Sequence, residues 1–267
     1  MRLGLDYAGG RPGGAAIRAA GYDFVVRYLS DGGPSLPGKL LTPAEANDLR
    51  AHGVSIVSNW ETTANRMLDG FDAGVVDARR ALNQVLACGG RLDRPIYFSA
   101  DFDATPAQQA PIDAFLRGAA TVIGAGNVGI YGGYWPVSRA LDNGTARWVW
   151  QTDAWSGSNV ERRRQLRQRA QQIVVGGVVC DVNEAYPPDF GQWDYEPNGE
   201  EPDMTPEQEA MLRDIQVQLR GPSLNGWPQL ENRTVVDGLA LALQRIEELE
   251  TEVKKLRFPW PLSILQR

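Results

Sequence analysis

The sequence predicts an α/β fold: a TIM-like (β/α) barrel whose last strands lack helices, followed by a linker and an α-helical tail with the spacing of a coiled coil. Three observations predict it. Eight short β-rich runs recur within residues 1–193, amphipathic segments separate most of them, and at Asp194 the chain turns acidic and rich in Pro and Gly. Alternating strand and helix give a parallel sheet covered by helices, and eight strands can close it.

The strand candidates are Leu3–Asp6, Phe24–Leu29, Val54–Trp60, Ile96–Asp103, Val128–Gly132, Arg147–Asp153, Gln172–Val175 and Val178–Val182. Helical spacing marks Pro43–His52, Gly70–Ala87, Pro106–Ile123 and Val160–Ala170. The last connection differs. In "IVVGGVVC" only Gly176 and Gly177 separate two apolar runs, which is a hairpin turn rather than a helical crossover.

Residues 1–193 therefore form the barrel and 194–204 an acidic linker. Residues 205–257 form a helical tail, opened by an N-cap at Thr205 and Pro206. In the tail, Val235, Leu239, Ala242, Ile246, Leu249, Val253 and Leu256 step alternately by four and three, a heptad seam. It predicts self-association as a dimer or trimer. The final segment 258–267, apolar and broken by Pro, reads as a docking peptide.

Composition narrows the chemistry. The formal net charge is −6, the acidic excess lies from Asp194 onward, and no basic patch has the footprint of a nucleic-acid partner. The nearest candidate, "ERRRQLRQR" at 161–169, reads as a solvated helix face. No apolar run approaches the roughly 18 residues that cross a bilayer, and the N-terminus lacks the pattern of a signal peptide. Cys88 and Cys180 make no metal or redox motif, and His52, the single histidine, sits at a helix end. Neither a metal nor a cofactor is called for, and the chemistry falls to carboxylates.

"RPIYFSADFDATP" ends a strand in two acids. Read as one strand through Asp103, it puts Asp101 and Asp103 on the face of Tyr97 and Ser99, opposite Ile96, Phe98, Ala100 and Phe102. Both would enter the barrel mouth at the C-terminal end, where such barrels build their sites. Asp6, Glu61 and Asp181 occupy equivalent strand ends. Acids crowded in one mouth raise one another's pKa, so that one can donate a proton while another stays charged, as glycoside cleavage requires. Trp60, Tyr131, Tyr134, Trp150 and Trp155 end or follow strands, and their faces suit sugar rings. With the polar Asn59, Arg27 and Gln151 they are the substrate-binding candidates.

"LGLDYAGG", "FVVRYLS", "IVSNWE", "PIYFSADFDA", "GIYGGYWPVSRAL", "WVWQTDAWSG" and "VVCDVNEAY" occur in this order. Together they resemble the glycoside-hydrolase-like domain of mycobacterial secreted proteins and actinobacterial phage proteins, itself similar to the family 25 lysozymes. The resemblance implies a barrel that binds and hydrolyses bacterial cell-wall glycan, with Asp6, Asp101, Asp103 and Asp181 at the positions of the lysozyme acids. Asp103 would protonate the leaving oxygen, Asp101 or Asp6 would stabilise the developing positive charge, and Asp181 would set the field. Asp103 stands where those lysozymes have a longer glutamate. Either the substrate sits deeper, Glu61 supplies the proton, or the barrel binds glycan without cutting it. The segment "GPSLNGWPQLENRTVVDGLA" resembles the C-terminal parts of mycobacteriophage lysins and minor tail proteins. It implies a phage protein, in the virion tail beside other tail proteins or in the host cytoplasm before lysis. The alternative is a non-catalytic glycan-binding tail protein assembled by its C-terminal helices.

Overall fold

A computed structural model describes residues 1–196, 206–221 and 226–256. The chain divides into two compact units, Met1–Glu196 and Pro197–Arg267. In the first, eight strands close in sequence order into one barrel. They are β1 (Arg2–Asp6), β2 (Phe24–Tyr28), β3 (Ser55–Trp60), β4 (Ile96–Ser99), β5 (Val128–Gly132), β6 (Trp148–Thr152), β7 (Leu166–Val175) and β8 (Val178–Ala185). Neighbours from β1 to β7 are parallel, and β8 runs antiparallel to both β7 and β1. Helices α1 (Gly14–Ala19), α2 (Pro43–Ala51), α3 (Gly70–Ala87), α4 (Gln109–Ile123) and α5 (Tyr134–Asp142) follow the first five strands.

Alternation sorts the side chains into two layers. Leu5, Val25, Ile56, Phe98, Ile130 and Val149 point outward and pack with Ile17, Leu49, Phe115 and Val137 of the helices. Phe24, Val26, Val57, Tyr97, Tyr131 and Trp150 fill the lumen, joined by Phe190 from the segment after β8. The tightest helix contact is between α3 and α4. A Cβ on Gly74 would stand 2.0 Å from the Phe115 carbonyl oxygen, and one on Gly118 2.1 Å from that of Phe71. Gly118→Ala must push the helices apart, and we expect a loss of about 1–3 kcal/mol in urea denaturation. Unchanged stability would contradict this close approach.

Two expectations are corrected. The segment 161–169 is not a helix, because β7 begins at Leu166 and no helix separates β6 from β7. Leu166 lies in the lumen cluster and Gln168 bonds inward to Asp6, while Arg167 and Arg169 pair with Asp153, and Arg169 also with Glu184. A strand face with no helix over it is charged, and that charge mimics a solvated helix. Strand β4 also stops at Ser99 rather than Asp103. The Ala100 amide still bonds the Tyr131 carbonyl, but that of Asp101 donates to Ala64 in the loop after β3, at 3.0 Å. Asp101 and Asp103 thus stand on a loop. The β7–β8 turn is the expected hairpin, with positive φ at both Gly176 and Gly177.

In the second unit, α6 (Pro206–Arg220) and α7 (Val235–Leu256) are helical. The Thr205 cap, the linker from residue 197 to its end, Arg257 and the peptide 258–267 lie outside the described residues. Among the described residues no helix is long and apolar enough to cross a membrane.

Candidate active site

The centre of the mouth is Asp6. As the last residue of β1 it stands opposite Asp181 of the antiparallel β8, and both side chains face inward. Asp6 is 1% exposed. Its Oδ2 accepts from Asn183 Nδ2 at 2.7 Å and Gln168 Nε2 at 3.0 Å, and its Oδ1 accepts from the Tyr28 hydroxyl at 3.1 Å. Burial pushes its pKa up, the charge of Asp181 adds to the rise, and the three hydrogen bonds pull it back to about 7. Asp181 is half-buried and accepts from Gln172 Nε2 at 2.9 Å.

Asp101 meets this pair from the β4 side. It is half-buried, and its pKa is raised by desolvation first and next by Glu61, with a smaller push from Asp181. The nearby Tyr131 hydroxyl and the charge of Lys39 act the other way. Lys39, nearly buried, donates to Glu61 Oε1 at 2.9 Å and lies over the Tyr28 ring. Gln168 organises the remainder: its Oε1 accepts from the Tyr131 hydroxyl at 2.7 Å and from Thr152 Oγ1 at 3.0 Å. Asp6, Asp101, Asp181 and Glu61 therefore form one electrostatic group. Asp103 is exposed on the loop, and no hydrogen bond reaches its carboxylate among the described residues.

The substrate-binding candidates separate by strand parity. Tyr131 faces the acids. Trp150 lies beneath them, 1% exposed, with its Nε1 donating to Asn183 Oδ1 at 2.8 Å. Asn59 is fully buried in reciprocal hydrogen bonds with Ser99. Trp155 is 40% exposed in the loop after β6, and Tyr134 is half-buried at the start of α5. Three others face away from the lumen, a correction to their expected role. Arg27 ion-pairs with Glu45 under α2, Trp60 packs in the outer core, and Gln151 ties down the loop through Ser156, Asn159 and Glu161. Their positions on β2, β3 and β6 have the outward parity.

Tyr28, Lys39, Gln168 and Asn183 are the site residues that sequence reasoning missed. Tyr28 and Asn183 share parity with the lumen residue Val26 and with Asp181, a signal that was available. Gln168 was hidden by the helical reading of its strand. Lys39 sits on an irregular loop and carries no signal. Among the described residues, no group of three or more His, Cys, Asp or Glu is arranged to hold a metal ion.

Residues 15–185 match the family model described as Rv2525c-like, glycoside hydrolase-like domain, and residues 204–249 match the Rv3766 C-terminal domain. The chain is 36% identical over 200 residues to a Mycobacterium tuberculosis protein named "Putative peptidoglycan hydrolase Rv2525c", covering 71% of this chain and 82% of the relative. The crystal structure of that Tat-secreted protein with L-tartrate superposes with a TM-score of 0.68 at 35% identity, over 72% of this chain and 98% of the other. A family 25 glycosyl hydrolase of Streptococcus pneumoniae, 14% identical with a TM-score of 0.50, shares the fold over 70% of this chain and 87% of its own. The expected placement in a phage tail or host cytoplasm is corrected by this kinship, since the mycobacterial relative is a Tat-secreted protein. With the model spanning most of the barrel, the chain belongs to the Rv2525c-like family of glycoside hydrolase-like domains.

Proposed function

We propose that the barrel binds and hydrolyses peptidoglycan or a related cell-envelope glycan by carboxylate acid/base chemistry, with Asp101 as the proton donor. The observation that carries this reading is the pairing of unlike carboxyls at the mouth. Asp101 has a raised pKa in a half-buried position, and beside it Glu61 is ion-paired to Lys39. A carboxyl whose charged form is disfavoured by burial, next to one paired with a lysine, is the kind of unlike pair that glycoside cleavage uses. The peptidoglycan-directed name of the mycobacterial relative supports the substrate class.

In the proposed step Asp101 gives its proton to the glycosidic oxygen as the bond from that oxygen to the anomeric carbon breaks. The electron pair of the bond leaves with the oxygen. The carboxylates of Asp181 and Glu61 offset the positive charge left on the sugar, and water then adds to the anomeric carbon and returns a proton to Asp101. Asp6, too buried to touch substrate, holds the field. Trp155 and Tyr134 offer aromatic faces to the rings. Trp155 is a non-glycine residue at φ 55, a backbone cost consistent with a functional demand on its position. The exposed heptad face of α7 supports self-association of the chain.

Purified full-length protein incubated with peptidoglycan should release new reducing ends. Asp101→Asn is expected to lower the rate about a hundredfold or more, and Asp103→Asn only severalfold. The opposite order would give the donor role to Asp103. Binding of insoluble peptidoglycan with no release by the wild type would favour the non-catalytic reading.

A further inference from the structure

We infer that the chain self-associates through α7 as a parallel, in-register, two-stranded coiled coil. The inference rests on the second unit alone and is independent of the glycan chemistry. Leu239, Ile246, Leu249 and Val253 are each more than half exposed along one helix. Leu230 packs against Gly238 near the first turn, and the described residues leave the seam from Leu239 onward exposed. A contiguous apolar stripe of this length on one helix calls for a partner. Its heptad spacing matches that of a second helix of the same kind.

The residues beside the seam choose the occupant and its direction. Counting Leu239, Ile246 and Val253 as a positions puts Val235, Ala242, Leu249 and Leu256 at d. Arg245 and Glu252 are then at g, and Glu250 is at e. In a parallel pair each g residue meets the e residue of the partner's next heptad. Arg245 therefore faces the partner's Glu250, twice by symmetry. An antiparallel pair with Ile246 opposite Leu249 would match Arg245 with Glu252 but would set Leu243 against Glu250 on both sides. The parallel register makes its two ion pairs without that mismatch, because Leu243 then faces the partner's Gly238. Around the middle of the seam, β-branched Ile246 and Val253 at a with Leu249 between them at d favour two strands over three.

Light scattering on the full-length protein at about 10 µM should give twice the chain mass, and a monomer or trimer would overturn the inference. Both native cysteines, Cys88 and Cys180, are buried, so L249C adds a lone exposed thiol. Under mild oxidation it should link two chains, because d positions adjoin in the parallel register. In the antiparallel register Leu249 faces Ile246, and failure of L249C to link would overturn the orientation. R245E should weaken the dimer about tenfold, and R245E/E250R should restore it. Restoration by R245E/E252R in its place would also overturn the parallel register.

Discussion

Arg27→Met is expected to destabilise the barrel by about 3–5 kcal/mol in chemical denaturation at neutral pH. The guanidinium is fully buried. It donates to Glu45 Oε1 at 2.8 Å and Oε2 at 3.2 Å, to the Tyr7 carbonyl at 2.5 Å, and to the carbonyls of Gly38 and Lys39 at 2.6 and 3.2 Å. It also lies over the Tyr7 ring. Removal leaves Glu45, itself 7% exposed, with the Tyr7 hydroxyl and the partly exposed Arg11 as partners. A half-compensated buried carboxylate costs more than the pair was worth. Arg27→Met/Glu45→Met should therefore recover much of the loss. A single variant as stable as wild type would mean that Arg11 alone balances Glu45, and a double variant worse than the single would assign the cost to packing. The loop carbonyls that Arg27 holds belong to the segment carrying Lys39, so the variant should also loosen the Lys39–Glu61 pair.

Arg27 also shows where the sequence was legible. Its neighbours Val25 and Val26 are apolar on both sides of β2, so alternation alone does not tell which parity faces the lumen. A buried arginine in a strand invites a substrate-binding reading, and only Glu45, on the helix packed outside, reveals the structural one. The order of strands, the bare hairpin at Gly176 and Gly177 and the convergence of Asp6 and Asp181 followed from local patterns: apolar runs, turn residues and strand-end acids. The end of β4 did not, because it depends on the Asp101 amide finding Ala64 across a loop. Strand β7 was misread because its arginines pair with Asp153 and Glu184 on a face that no helix covers. With that strand went Gln168, the amide that joins Asp6, Tyr131 and Thr152 into one network.

Asp6→Asn should make the protein more stable, by an amount that grows with pH. The folded chain holds the Asp6 pKa at about 7 against an ordinary 3.8, chiefly because the carboxylate is desolvated. Between these values the folded state binds a proton that the unfolded state has released, so stability falls as pH rises through the window. Below pH ~4 both states are protonated and the group contributes nothing. Above pH ~7 the folded barrel carries the full penalty, on the order of 4 kcal/mol for a shift of this size. An asparagine keeps the shape and escapes the penalty. Its oxygen can accept from Asn183 and Gln168, and its amide can donate to the Tyr28 hydroxyl oxygen. Denaturation of wild type and variant at pH 4, 6 and 8 should show a difference near zero at the first and largest at the last. Asp181→Asn should shrink that difference, since the Asp181 charge is the second cause of the shift. A difference independent of pH would mean that Asp6 is not held protonated in the fold. A barrel selected for folding alone has no use for an acid that neutral pH turns against it. Asp6 at the centre of the mouth thus sits at a cost to stability, the pattern of a perturbed acid in a functional site.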